Sequence, residues 1–397
     1  TEERAVIGPK IDASKARELV EKTVDAVPGL RRRSREPAPQ SASRSMPMPE
    51  PALPVIPTMG VGSLAVPGWF SLLVRQMRNE AVGEDDRDEL FADALRLAVG
   101  DQIEAGLDIL SDGEVRRQRF VFEMHDRLTG LRRLETRRKL GVHGYDQVPQ
   151  FEVTGNIEAP QGLGIVEDFE KLRDAAPGRA LKIAVPGPLT LASMVHRARR
   201  SEESVLDDLV RVVRREVERL LQAGARRIQI DEPGLAHPTH GLSLAAAAQM
   251  VNRCIEGTSA RFSVHVCFGN NLGRPVSSRD LARLMPAFDT LIARELVLEF
   301  ANREMAQVDL LASIPDRFDI AAGIVDVKSF YIESADDVAR RLQMVLKHVP
   351  AQRIVATADC GFSALPRQIA RAKMRALVGG AALVRGSGAP IEPGVKL

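Results

Sequence analysis

The chain has 397 residues, 44% of them hydrophobic and 27% charged, with a formal net charge of +2. This length and composition suit one large barrel or two smaller domains, while the balanced charge and 4% aromatic content argue against a nucleic-acid binder. No apolar run approaches the roughly 20 residues of a membrane span, no charged-then-apolar leader opens the chain, and three cysteines are too few for a disulfide framework, so a cytoplasmic protein is expected.

Residues 1–54 read as an N-terminal arm. Residues 12–26 have the makings of a short helix, but the basic run Arg31-Arg32-Arg33-Ser34-Arg35 and the Pro/Ser/Met-rich stretch up to Pro54 predict a solvated linker. From residue 55 to 397 the pattern alternates. Short apolar or β-branched runs predict strands at 55–61, 107–110, 181–185, 226–230, 262–267, 296–299, 320–325 and 354–357. Amphipathic helices fill most of the gaps. The clearest covers 203–223, where Leu206, Leu209, Val210, Val213, Val217, Leu220 and Leu221 recur at three and four before Gly224; a second covers 86–105 and stops at Gly106. Strands alternating with helices predict an α/β fold, a closed (β/α)8 TIM barrel. The segment from about 115 to 180 is too long for a simple crossover and predicts an insertion after strand 2, with a hairpin near 151–157.

In such a barrel the chemistry sits at the C-terminal strand ends. Those ends carry Ser63, Asp112 with Glu114, Asp231 with Glu232, His265 and Cys267, Glu299, Asp326 with Lys328, and Asp359 with Cys360. His265 and Cys267 are two apart on an extended run, so they point to one face. Cys360 at a later strand end supplies a third soft donor, and a carboxylate would complete a zinc site. Taken singly, the two cysteines read more simply as small buried hydrophobes and His265 as a core histidine. Cys254, on a helical stretch, is most simply a core residue. His237 and His240 read as loop residues. Arg116, Arg117 and Arg119 read as a solvated charge run or as a grip for a carboxylate or phosphate.

The ordered motifs Val61-Gly62-Ser63, Ser111-Asp112-Gly113-Glu114, Gly187-Pro188-Leu189-Thr190, Gln229-Ile230-Asp231-Glu232-Pro233, His265-Val266-Cys267, Leu298-Glu299-Phe300 and Asp359-Cys360-Gly361 resemble one family. It is the catalytic barrel of cobalamin-independent methionine synthase and its single-barrel relatives, over roughly residues 55–390. The resemblance implies Zn2+ held by His265, Cys267, Cys360 and Glu299, with Glu295 and Glu304 as the alternatives that a register error would select. It also implies an amino-acid thiol substrate, homocysteine, whose amine meets Glu114 and Asp231 and whose carboxylate meets Ser63. A thiol held by zinc is deprotonated at neutral pH, and thiolate is the competent nucleophile in alkyl transfer.

Two positions depart from the family pattern. Met194 stands where the family stacks folate on a tryptophan, which speaks against a folylpolyglutamate donor and for a corrinoid or corrinoid protein. Lys328, in Asp326-Val327-Lys328-Ser329, replaces a histidine thought to act as an acid. As catalytic candidates, Asp326 and Lys328 would handle a proton or bind an anionic group, or Lys328 would merely pair with Asp326 or Glu333. The expected function is zinc-dependent methyl transfer to homocysteine or a related thiol. Two alternatives remain: an epoxide opened by a coenzyme M-like thiol, and a non-catalytic barrel that binds ligand or delivers methyl groups in a complex. A homo-oligomer is compatible with each.

Overall fold

Short strands, most of them buried on both faces, organise the chain. The computed structural model describes residues 51–77, 83–117, 122–135, 150–237, 241–270 and 275–386. The expected helix at 12–26 and nearly all of the expected arm therefore lie outside the described residues. The strands are β1 Ile109–Leu110, β2 Thr129–Arg133, β3 Phe151–Glu158, β4 Ala180–Leu181, β5 Ile183–Pro186, β6 Val195–His196, β7 Arg227–Asp231, β8 Arg261–His265, β9 Glu295–Glu299, β10 Asp319–Val325 and β11 Ile354–Ala358.

Six of them form a parallel sheet in the order β11-β10-β9-β8-β7-β5, and β1 pairs with β4 in parallel. The remaining strand position is occupied by residues 58–59, which make single parallel bridges, Thr58 to Ala356 of β11 and Met59 to Ile109 of β1. Because β4 and β5 are separated only by Lys182, the order of neighbours runs through all eight segments and returns to its start. The predicted run at 55–61 is thus reduced to two bridges, and the predicted strand at 181–185 is split in two. The fold is the TIM-barrel type expected.

Alternation along the strands separates two apolar clusters. Met59, Val61, Ile109, Ala180, Val297, Ala321 and Val355 pack together in one. Their neighbours Leu296, Leu298, Ile320, Ala322, Ile354 and Ala356 belong to the larger cluster shared with the helices. Strand side chains alternate with period two, so Lys182, Gln229, Asp231, Ser263, His265, Glu295 and Glu299 share the parity of the inner set. The sequence thereby places its polar strand residues inside the barrel.

The helix Glu202–Gln222 starts at Ser201, whose side chain accepts from the Ser204 N–H, and its apolar stripe from Val205 to Leu220 is buried. The helix Glu84–Ala105 stops where Gly106 turns left-handed at φ 87°. Within the expected insertion β3 pairs antiparallel with β2, and it also pairs in parallel with β6, which lies beyond the insertion, so the predicted hairpin becomes part of a three-stranded sheet.

Candidate active site and metal centre

His265 closes β8, and Cys267 lies just beyond it, where the Val266 N–H still donates to the Val297 carbonyl (3.2 Å) and keeps the trace extended. Cys360 follows β11. The donor atoms of His265, Cys267 and Cys360 lie within 4.8 Å of one another, with the two sulfurs 3.8 Å apart. Sharing a proton with Cys360 drives the Cys267 thiol well below its ordinary range, with further help from His265, and drives Cys360 well above it. Burial works against a charge on His265, but Asp231 and Cys267 outweigh it and raise the imidazole to about 9. His265 Nε2 is buried with no hydrogen-bond partner of good geometry. An imidazole and two thiols converging around an unsatisfied nitrogen fit a zinc ion.

Glu299 ends β9 and is buried, but it stands outside that group of three. Its Oε2 accepts from Lys328 Nζ at 2.6 Å, its Oε1 has no hydrogen-bond partner, and Arg279 Nε is 3.9 Å away. Burial, and then the charge of Cys267, raises its carboxyl against the pull of Lys328. Of the register alternatives, Glu295 sits at the opposite end of β9 against Arg261 (3.1 Å), and Glu304 is exposed. Lys328 therefore pairs with neither Asp326 nor Glu333. Asp326 is half-buried, and its Oδ1 accepts from the Lys328 backbone N–H (2.7 Å), which shapes the turn. Glu333 pairs with Lys373 (2.8 Å) and Arg341 (3.2 Å).

Asp231 ends β7 and accepts from His265 Nδ1 at 3.1 Å and from Gln229 Nε2 at 2.7 Å. Glu114 is buried in a turn with φ +54°, a strained value for a residue with a Cβ. Burial pushes its carboxyl up to about 7, with Arg117 opposing and Asp231 and Asp112 assisting. Gly62 lies so close that a Cβ there would stand 2.4 Å from Glu114 Oε1. Ser63 is half-buried, bonds Ser363 (3.0 Å), and leaves Gly361, the neighbour of Cys360, no room for a Cβ.

The other residues singled out in the sequence take up supporting positions. Asp359 accepts from the N–H groups of Phe300 (2.8 Å), Ala301 (2.9 Å) and Asn302 (2.6 Å), which pins the loop after Glu299. Glu232 faces away from the thiols and accepts from the Leu189 (3.0 Å) and Thr190 (2.8 Å) N–H groups. His237 is half-buried rather than a solvated loop residue; its Nδ1 has no hydrogen-bond partner, and burial lowers its pKa although the charge of Cys267 opposes. His240 and Arg119 lie outside the described residues. Arg117 is no free anion grip, since it bonds the Ala184 carbonyl (2.9 Å) and Asp112 (3.3 Å). Arg116 lies 3.3 Å from Asp168 and over the Phe91 ring. Cys254 is a core residue, as expected.

A family model described as the catalytic domain of cobalamin-independent synthase matches residues 56–383. The chain belongs to the cobalamin-independent methionine synthase family. It is 30% identical over 334 residues to a methionine synthase of Sulfurisphaera tokodaii, covering 84% of this chain and 94% of that protein. It is 27% identical to one of Thermococcus kodakarensis, over 84% and 94% of the two chains. A B12-independent methionine synthase of a Shewanella species, solved with selenomethionine, superposes with a TM-score of 0.71 at 26% identity, covering 84% of this chain and 99% of that one. A Listeria monocytogenes structure (TM-score 0.61, 18% identity, 84% and 98% coverage) shares the fold. The family's description as cobalamin-independent removes support for the corrinoid donor. No helix among the described residues is long and apolar enough to cross a membrane.

Proposed function

We propose that the protein is a zinc-dependent methyltransferase acting on the thiol of homocysteine or a closely related amino-acid thiol. The observation that carries this reading is the convergence of His265, Cys267 and Cys360 within 4.8 Å, beside the acids Glu114 and Asp231. His265, Cys267 and Cys360 would hold the metal, with Glu299 as the fourth donor. When bound, zinc would lower the pKa of the substrate thiol so that thiolate is available at neutral pH.

The chain's own groups divide the remaining work. Glu114 and Asp231 meet the substrate amine, and Glu114, with its carboxyl raised to about 7, ionises fully once an ammonium is beside it. Ser63 donates to the substrate carboxylate. Lys328 supplies positive charge opposite Glu299 and neutralises the inner wall while the methyl group moves. Asp326 holds the Lys328 backbone and so fixes where that ammonium reaches. Met194 is half-buried, with its carbonyl bonded to the Phe151 N–H (2.9 Å); it offers no indole, so a folate donor would be held without that stacking contact. The engagement of Arg116 and Arg117 with Asp168 and Asp112, and of Lys328 with Glu299, argues against a sulfonate thiol.

The test combines metal analysis with turnover. Purified protein should carry about one zinc per chain and form methionine from homocysteine and a methylated folate bearing one glutamate. Cys267→Ser and Cys360→Ser should lose both metal and activity. A wild-type protein that binds no zinc, or a Cys267→Ser variant with full activity, would sink the proposal.

A further inference from the structure

Lys182 is a charged residue on an otherwise apolar strand, placed in the barrel interior at the break between β4 and β5 and only 3% exposed. Burying an ammonium costs several kcal/mol unless its donors are all met. Here they are. Nζ donates to the Gly60 carbonyl (2.7 Å), the Val61 carbonyl (2.8 Å) and Gln229 Oε1 (2.7 Å). Burial lowers its pKa to about 8, so it remains mostly protonated at neutral pH.

The direction of every following bond is forced. An ammonium has three donors and no acceptor, so the oxygen of the Gln229 amide must face Lys182. Its nitrogen must then face the other way, and it donates to the Val61 carbonyl (2.9 Å) and to Asp231 Oδ1 (2.7 Å). The same oxygen of Asp231 receives His265 Nδ1 at 3.1 Å. A carboxylate held as an acceptor keeps the proton of His265 on Nδ1 and leaves Nε2 to act as a donor atom toward a metal. A hydrogen-bonded partner on the far nitrogen of a metal-binding histidine fixes its tautomer and orientation.

We infer that Lys182 and Gln229 are positioning residues for the metal centre: through Asp231 they set the orientation and tautomer of His265, which they do not touch. This rests on the zinc reading proposed above. It also means that Asp231 serves His265 even before any substrate amine arrives.

A purely structural role is the competing account, because Lys182 and Gln229 also tie down the carbonyls of residues 60 and 61 where the strand has few ladder bonds. The two accounts separate on zinc affinity measured by chelator competition, alongside the melting temperature of EDTA-treated protein. Gln229→Glu decides between them. It has the size of glutamine and, ionised beside the Lys182 ammonium, it still accepts from Lys182 and has no proton to donate to Asp231. The expected result is a zinc Kd about 10-fold weaker for Gln229→Glu and for Gln229→Leu, the lower end of what loss of such outer partners costs. Lys182→Met should weaken zinc by up to about 10-fold, since Gln229 is then free to turn. Cobalt(II)-loaded Gln229→Glu should keep its thiolate charge-transfer bands while its d–d bands shift, because only the histidine corner is disturbed.

Gln229→Glu protein that is folded and binds zinc within twofold of wild type overturns the inference, whatever its melting temperature. If Lys182→Met does not fold, the zinc affinity of Gln229→Glu decides alone. A wild type that takes up no zinc sinks the metal reading and this inference together; a zinc-binding wild type with unaltered variants sinks only the inference.

Discussion

Lys328→Met removes the cation from a nearly dry ion pair. The Lys328 and Glu299 side chains are 4% and 0% exposed and sit 2.6 Å apart. Taking one partner from a buried pair costs about 3–5 kcal/mol, because the other charge is left in a poorly solvated place. The lower end applies, since Arg279 Nε stays within 3.9 Å of Glu299. An unfolding entropy of about 2.1 cal/mol/K per residue, over a chain of 397 residues, converts about 3 kcal/mol into a melting-temperature drop of about 4 °C. The assay is thermal unfolding of EDTA-treated protein as a double-mutant cycle with Glu299→Gln. The double variant should regain most of the loss, as the stranded charge is gone, and zinc should narrow the Lys328→Met deficit by giving Glu299 another partner. If metal-free Lys328→Met melts within about 1 °C of wild type, well inside the shift worked out above, the ion-pair account of Lys328 is refuted.

Glu232 sets a pH dependence of its own. Its complete burial raises the carboxyl from 4.5 to about 7 against the pull of Thr190 and the Leu189 N–H, so the folded state holds a proton that the unfolded chain releases. The stability this gives is fully present below about 4.5 and is lost as pH rises through about 7, a change of about 3 kcal/mol. Urea unfolding at pH 5 and pH 8 should show that slope reduced in Glu232→Gln, and an unchanged slope contradicts the assignment. Asp359→Ala strands the N–H groups of Phe300, Ala301 and Asn302, at about 1–3 kcal/mol for each buried donor. Hydrogen exchange around residues 299–303 should speed up and zinc content fall; an unaltered exchange pattern would show the loop is held by something else. Gly62→Ala puts a Cβ 2.4 Å from Glu114 Oε1, so the carboxyl must move. The KM for the thiol should rise about 10-fold, the factor worth about 1.4 kcal/mol of lost contact, with zinc content unchanged; an unchanged KM argues that Glu114 does not touch the substrate.

Most of the architecture was legible because it depends on local periodicity. The helices at Glu84–Ala105 and Glu202–Gln222 begin within two residues of the expected positions, since an apolar stripe and a following glycine are properties of adjacent residues. Residues 55–61 and 181–185 read locally as continuous strands. Strand pairing is decided by what the rest of the barrel offers, and there it yields two bridges at 58–59 and an interruption at Lys182. His265, Cys267 and Cys360 were legible as a set because soft donors are rare in this chain and fall at strand ends.

The chain alone determined the alternation of strands and helices, the parity that turns Gln229, Asp231, His265 and Glu299 inward, and the three donors that meet. Only the tertiary structure decided the partners of those side chains. Glu299 went to Lys328 rather than joining the thiols, Asp231 went to His265, and Lys182 became the source of a directed chain of hydrogen bonds. The reason is physical: periodicity fixes which face a side chain takes, whereas a buried charge must find its counter-charge or donor across the barrel, from residues dozens to more than a hundred positions away.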